Sequence, residues 1–506
     1  MKTKYLILIA LAAIFSSCSE SFLDTVSTDT YNEENFWKTE TQFLSAINGS
    51  YAVTREFSSY KLYLDNVSPN SYNMSGQVQL AEGTHDISNE RWFTDVWNLN
   101  YRGIGRVNNV LAHIAQPDLV ISESIKTRIT GEAYFLRALF YFELINLYGG
   151  VPLITDAPDF YTQKNLPRDS KDAVLTQILK DLDEAQKLLP PSYSGGDIGR
   201  ATQGAALALK ARILLYESRW TEAASAAKAI IDLNRYSLFK KAGNTPTQNY
   251  RQLFLPENEN NQEVIFDIQY SAPDYTHGLN LNLDLQLNIA PLPDLVNSYL
   301  ASDGKPTSES SVYDPAQPYE NRDPRLHATI SVPGYLYKNT IIPENKYYST
   351  GYAYKKYTTY LDDVTYATDV KNSPLNYIYL RYGDILLMYA EAKNEAGNID
   401  QSVYDALHLI RDRAGMPDIP QGLSQGELRN VIRLERRIEL ANEGLYYNDI
   451  RRWRTAETVM NTSVYKNNGD LIQTRSFNKD RDYLWPISLA TREQNPKLEQ
   501  NPNYGK

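Results

Sequence analysis

Cysteine is almost absent: one residue in 506. Neither a disulfide framework nor a cysteine-based metal site is then possible. Histidine is nearly as scarce. His85, His113, His277, His327 and His408 stand apart, with no spacing that suits a metal-ligand set, so no metal and no cofactor is expected. Positive charge is in deficit, 51 Lys and Arg against 61 Asp and Glu, for a net charge of −10. That disfavours nucleic acid, whose binding rests on basic patches. No stretch approaches the roughly 18 uninterrupted apolar residues of a membrane-spanning helix. Phenylalanine is sparse at 14, while tyrosine reaches 39, so the aromatic content is mostly amphipathic. A tyrosine ring stacks while its hydroxyl stays hydrogen-bonded or wet.

What is present begins at the N-terminus. Met-Lys-Thr-Lys precedes an apolar run from Tyr5 to Phe15, followed by Ser16-Ser17-Cys18. A basic start, a short apolar core and a small-residue exit form a secretory signal over 1–17. Small residues just before the one cysteine look like a lipobox, with Cys18 as the lipidated residue. Two acyl chains there would anchor the chain firmly to a membrane. Residues 18–33 are polar and acidic and read as the lipidated Cys and a tether.

Helical periodicity dominates 34–242. Phe43, Ile47 and Tyr51 define one face from a start near Glu34. Asp65 to Arg91 has a loop composition. Trp97, Tyr101, Ile104, Asn108 and Leu111 mark a second helix, and Ser122 to Tyr148 a third that Gly149-Gly150 stops. Ser170 and Thr202 cap a fourth and a fifth, and Thr221 opens a sixth. The last two make a hairpin of about 34 residues, the period of a tetratricopeptide repeat. Residues 243–380 are rich in Asn, Pro, Tyr and Gly, with a strand at Val264–Ile268 and a short helix near Pro293. Helix returns over 381–506: Arg381 to Ala396, Ser402 to Arg413, and a helix opened by the capping box Ser424-x-x-Glu427 and running to Gly444. The tail from Thr474 reads as irregular.

Five segments in order carry a resemblance. They are Gly131-Glu132-Ala133-Tyr134-Phe135-Leu136-Arg137 running to Gly149-Gly150-Val151-Pro152; Asn321-Arg322-Asp323-Pro324-Arg325; Arg381-Tyr382-Gly383-Asp384 through Glu391-Ala392; Glu435-Arg436-Arg437-Ile438-Glu439 through Asp449-Ile450-Arg451-Arg452-Trp453; and Tyr483-Leu484-Trp485-Pro486 with Gln500-Asn501-Pro502. Together they resemble the SusD/RagB family of outer-membrane lipoproteins. The family places an arginine where this chain has Tyr446, which removes one local salt bridge. The resemblance implies a mainly α fold: a platform of irregular tetratricopeptide-like hairpins carrying a loop-rich, partly β, ligand-binding region. It also implies a non-catalytic, cell-surface glycan-binding lid for a SusC-like TonB-dependent transporter. Glu132, Arg137, Arg436 and Glu439 are expected to hold helices together, since paired charges in packed helices serve architecture more often than binding.

A sugar site needs aromatic platforms with a polar rim, on loops held by a scaffold. Three stretches qualify. In Asp65–Trp92 the candidates are Asp65, Asn66, Asn70, Tyr72, Arg91 and above all Trp92, where the family resemblance implies a ligand-stacking aromatic; the alternative is a core Trp92 packed under the loop. In Tyr270–Asn282 they are Tyr270, Tyr275 and His277, the last favoured as a plain solvent-exposed histidine. Tyr335–Tyr360 holds eight tyrosines, among them Tyr347, Tyr348 and Tyr354, with the face of Tyr352 and Tyr354 turned either to ligand or to the core. Peptide capture is the second reading. A glycoside hydrolase would need two carboxylates facing across a cleft, and none of the resembling motifs is a hydrolase motif. A pure repeat adaptor leaves the lipid anchor and the tyrosine-rich insert unexplained.

Overall fold

The computed structural model describes residues 35–74, 78–366 and 372–505. The signal and tether, Cys18 included, lie outside the described residues. Among the described residues no helix is long and apolar enough to cross a membrane.

The fold is mainly α. Thr39 and Gln42 form a capping box that opens α1 (Glu40–Val53), later than the start expected near Glu34, with Phe43 and Ile47 inside. A 3-10 turn leads straight into α2 (Phe57–Asn66). This corrects the loop expected from Asp65: Asp65 and Asn66 form the last turn of a helix in which nine of ten residues are buried. Their polarity meets protein partners rather than water. Strand β1 (Ser71–Tyr72) and a short helix at Gln79–Glu82 follow. Trp92 is the first residue of α3 (Trp92–Ile114) rather than the end of a loop.

α4 (Glu123–Tyr148) packs between α3 and α5 (Lys171–Leu188). A side chain at Gly103 would stand 2.5 Å from the Phe140 ring, so glycine sets the close approach of α3 to α4. Ser170 accepts from the Ala173 N–H and Thr202 from the Ala205 N–H, as N-caps do. α6 (Gln203–Tyr216) and α7 (Trp220–Asp232) form the alanine-rich hairpin. α7 packs on α9 (Tyr382–Glu395), which also packs on α10 (Gln401–Ala414) and α11 (Gln425–Glu439). The two hairpins, far apart in sequence, are therefore neighbours in space.

The middle of the chain supplies short strands. β2 (Val264–Ile268) pairs antiparallel with β4 (Tyr377–Arg381), a strand that feeds directly into α9. β3 (Ala290–Pro291) pairs with β1 and precedes α8 (Pro293–Ser298). Late in the chain come α12 (Tyr446–Arg452), a hairpin of β5 (Ser463–Tyr465) and β6 (Leu471–Thr474) and, in the tail that reads as irregular from Thr474, a short helix at Leu489–Gln494. α11 stops at Glu439, short of Gly444. The chain turns there through left-handed Asn442 and Gly444, and the Lys61 carbonyl fills the space a Gly444 side chain would need.

Buried ion networks tie these parts together. Arg381 at the end of β4 meets Glu263 (2.8 Å), Glu439 (2.7 Å) and Glu443 (2.6 Å). Arg325 reaches Asp323 (2.7 Å), Glu435 (2.6 Å) and Glu439 (2.9 Å), and Arg413 binds both Glu263 and Glu439. Burial alone would raise the Glu439 pKa; Arg413, Arg381 and Arg325 instead hold its carboxyl well below the usual carboxylate range. Arg436 joins Asp384 (2.6 Å) to Asp449 (3.0 Å), and Arg137 holds Asp181 (2.7 Å) between α4 and α5. Glu132 is buried against Arg128 and Arg200. Arg137, Arg436 and Glu439 thus hold helices together as expected, whereas Glu132 pairs within α4 and with Arg200 in the segment before α6.

Candidate ligand-binding recess

The loop-rich middle meets the late helices at a recess of about 510 Å³. Its walls come from four distant segments: the Pro69 loop, α8, the corner between α11 and α12, and the chain running from Thr458 into β5. β1–β3 pairing holds the Pro69 loop beside α8, and the Leu292 N–H donates to the Asn70 carbonyl at 2.9 Å. Arg475 closes the back. Its guanidinium donates to the carbonyls of Ser68 (2.5 Å), Asn66 (3.1 Å) and Ser71 (2.7 Å), and burial pulls its pKa down to about 10.

Two tyrosines line the recess. Tyr446 lies under the Arg437 guanidinium at 4.6 Å. Arg437 is itself fixed by the Asn70 side-chain oxygen (2.9 Å) and by Asp294 (2.5 Å). Tyr465, on β5, is 48% exposed. Asp294 and Asn297 stand exposed on α8 at the rim, with Thr462 and Ser463 across from them. An open ring face bordered by carboxylate, amide, hydroxyl and guanidinium groups offers a sugar both of its handles, the apolar ring face and the hydroxyl fringe.

The residues singled out from sequence are distributed differently. Asp65 is fully buried, its Oδ2 accepting from the Gly444 N–H at 3.0 Å, and burial pushes its pKa up to about 7. Asn66 donates to the Asn288 carbonyl at 2.9 Å, and Asn70 is the buried acceptor for Arg437. These three therefore support the recess from behind and present no side chain to it. Tyr72 is half-buried near Glu82 and Arg475. Trp92 is half-buried against Tyr63 at 5.2 Å, with the exposed Arg91 over its ring at 4.6 Å, and neither lines the recess.

The second stretch borders a separate recess of about 550 Å³ between the end of α1, residues 196–200 and the end of β2. Tyr275 is 52% exposed there, with Arg55 stacked over it at 3.9 Å. Arg200 on its wall is already engaged by Glu132, Asp197 and Asn48. Tyr270 lies inside, bonded to Ser58 Oγ at 2.8 Å. His277 is half-buried rather than solvent-exposed: its Nε2 meets the Leu375 carbonyl at 2.7 Å, and burial lowers its pKa. In the third stretch Tyr347, Tyr352 and Tyr354 are interior, Tyr354 bonded to Ser71 Oγ at 2.7 Å, while Tyr348 is exposed. The face of Tyr352 and Tyr354 thus belongs to the core. Tyr446, Tyr465, Arg437, Asp294 and Arg475 were not singled out as contacts. The one available signal was Tyr446, where the family pattern breaks. Among the described residues no group of three or more His, Cys, Asp or Glu is placed to hold a metal ion.

The family model described as "SusD family" matches residues 236–504, just over half of the chain, and one described as "Starch-binding associating with outer membrane" matches residues 20–215. SusD-like protein P38 of Formosa agariphila is 28% identical over 99% of this chain and 98% of its own length. A SusD-like protein of Bacteroides fragilis superposes with a TM-score of 0.80 at 29% identity, covering 95% of this chain and 100% of that one. A SusD-like carbohydrate binding protein of the same species gives 0.81 at 26% identity, covering 92% and 100%.

Proposed function

The chain belongs to the SusD family, and from that premise we propose that it is a cell-surface lipoprotein, anchored through Cys18, that captures oligosaccharide without cleaving it and passes it to a SusC-like TonB-dependent barrel. The observation that carries the binding step is the Tyr446–Tyr465 recess. Tyr465 offers an open ring face for a pyranose to stack on. Asp294 and Asn297 at the rim supply an acceptor and an amide for its hydroxyls, and Arg437 supplies donors from a fixed position. Asn70 and Asp294 hold Arg437, and Arg475 clamps the loop behind, all without a ligand, so little ordering cost falls on binding. The relative named as a carbohydrate binding protein supports the ligand class.

The test is a titration of the form beginning after Cys18 against a panel of oligosaccharides and peptides, with a reducing-end assay in parallel. Saturable binding to a glycan, no new reducing ends, and loss of that binding in a Tyr446→Ala, Tyr465→Ala double variant are expected. Release of reducing ends would overturn the non-catalytic reading. Binding to peptides alone would overturn the sugar.

A further inference from the structure

A third recess, of about 530 Å³, is bounded by the turn after α4, the start of α5, the end of α6, the end of α12 and the C-terminal tail. Its charge is unusual for a chain of net charge −10. Five cations line it: Arg168, Lys171, Arg451, Arg452 and Arg454. Two of them are neutralised. Lys171 pairs with Glu217, the one lining carboxylate, at 2.6 Å, and Arg452 pairs with Glu391 and Asp449 at 2.6 and 2.8 Å. The other three form no ion pair among the described residues.

Arg168 and Arg451 are nevertheless firmly held. Arg168 donates to the carbonyls of Gly150 (2.7 Å), Tyr148 (2.8 Å) and Glu499 (2.8 Å) and to Asn501 Oδ1 (2.8 Å). Arg451 donates to the carbonyls of Asn146 (2.9 Å) and Tyr483 (2.5 Å) and to Asn448 Oδ1 (3.3 Å). Neutral acceptors satisfy the hydrogens and leave the charge. Burial accordingly lowers the pKa of both guanidiniums; Glu499 opposes it at Arg168 and Tyr447 at Arg451, while Arg454 adds repulsion at Arg451. Arg454, exposed, lies over the Tyr483 ring at 4.1 Å. Tyr216 also lines the recess. It is 8% exposed, and its hydroxyl is buried with no hydrogen-bond partner. That hydroxyl lies among Asp449, Arg212, Arg436 and Arg452 and is closed to the recess, so the charge open to an incoming anion is that of Arg451 and Arg454.

We propose that this recess binds an oxyanion, the carboxylate or sulfate group of an acidic saccharide, at Arg451 and Arg454. The saccharide part of the assignment rests on the function proposed above; the oxyanion part stands on the recess itself.

The mature chain is titrated calorimetrically with sodium glucuronate, with sodium sulfate and with glucose, at low and at physiological salt. Saturable binding of glucuronate, sulfate or both, weakening with salt, and no binding of glucose at this recess are expected; a preference for glucuronate or for sulfate tells a uronate from a sulfate ester. Arg454→Lys keeps the charge at an exposed position, so the variant folds and retains most of the oxyanion affinity. Arg454→Gln weakens binding and flattens its salt dependence. Binding of neither anion, or binding that Arg454→Gln leaves intact, overturns the proposal. Neutral-glycan binding at Tyr446 is read separately: Tyr446→Ala leaves the oxyanion titration unchanged, so failure of that reading and failure of this one give different results.

Discussion

Around Glu439, Arg325, Arg381 and Arg413 each meet carboxylates contributed by separate stretches of chain, whereas in the tail-side recess Arg168 and Arg451 are held by carbonyl and amide oxygens alone. Both regions fix their arginines, and both satisfy most guanidinium hydrogens. Only the first cancels the charge. Hydrogen-bond satisfaction and charge neutralisation are therefore separate conditions. Where both hold, the arginine belongs to the architecture. Where only the first holds, charge is left over for a ligand to meet. The Tyr446 recess lies between these cases, since Arg437 has one carboxylate partner, Asp294, at an exposed rim.

The comparison breaks most directly at Glu439. Glu439→Ala leaves three buried guanidiniums short of a partner and is expected to cost about 3–5 kcal/mol, read as a lower urea midpoint. A midpoint that does not move would mean the network is incidental to stability. The same contrast is sharpened by pH. The lowered Glu439 carboxyl contributes stability that is present above about pH 4.3, its unfolded value, and is lost as the pH falls further. Asp65 has the opposite sign. Its folded pKa is raised to about 7, so its contribution is present below about pH 3.9 and is lost as the pH rises through 7. Asp65→Asn keeps an acceptor for the Gly444 N–H and should gain about 2 kcal/mol above pH 7, with the gain vanishing near pH 4. Denaturation curves at pH 4 and pH 8 check this. Next in size, Tyr446→Ala and Tyr465→Ala should each weaken glycan binding roughly tenfold, by analogy with bases stacked on aromatic side chains; calorimetric titration reads it. Smallest is Trp92→Ala. Its ring packs on Tyr63 away from the recess, so glycan affinity should change by no more than about twofold. A larger loss would move the site toward the Asp65–Trp92 stretch.

Local signals were legible in the sequence. Ser170, Thr202 and Ser424 cap helices where their spacing said they would, because a cap and the apolar stripe behind it lie within a few residues of each other. β4 was hidden because Tyr377-Ile378-Tyr379-Leu380-Arg381 is buried on both faces, so it shows no alternation and runs into α9 without a break. Asp65 and Asn66 looked like loop residues because their partners, Gly444 and Asn288, are hundreds of positions away. The candidate recess shares that difficulty. Pro69, Asp294, Arg437, Tyr446, Tyr465 and Arg475 converge from segments whose spacing carries no period, and composition alone could not sort Tyr465, on the surface, from Tyr354, in the core.

Arg475 carries a consequence for biogenesis. The loop behind the candidate recess takes its shape from a side chain some 404 positions later. A chain made from its N-terminus could assemble the early helices while that loop still lacked its clamp. The recess would then close only near the end of synthesis, so a chain cut short of Arg475 would leave it unformed.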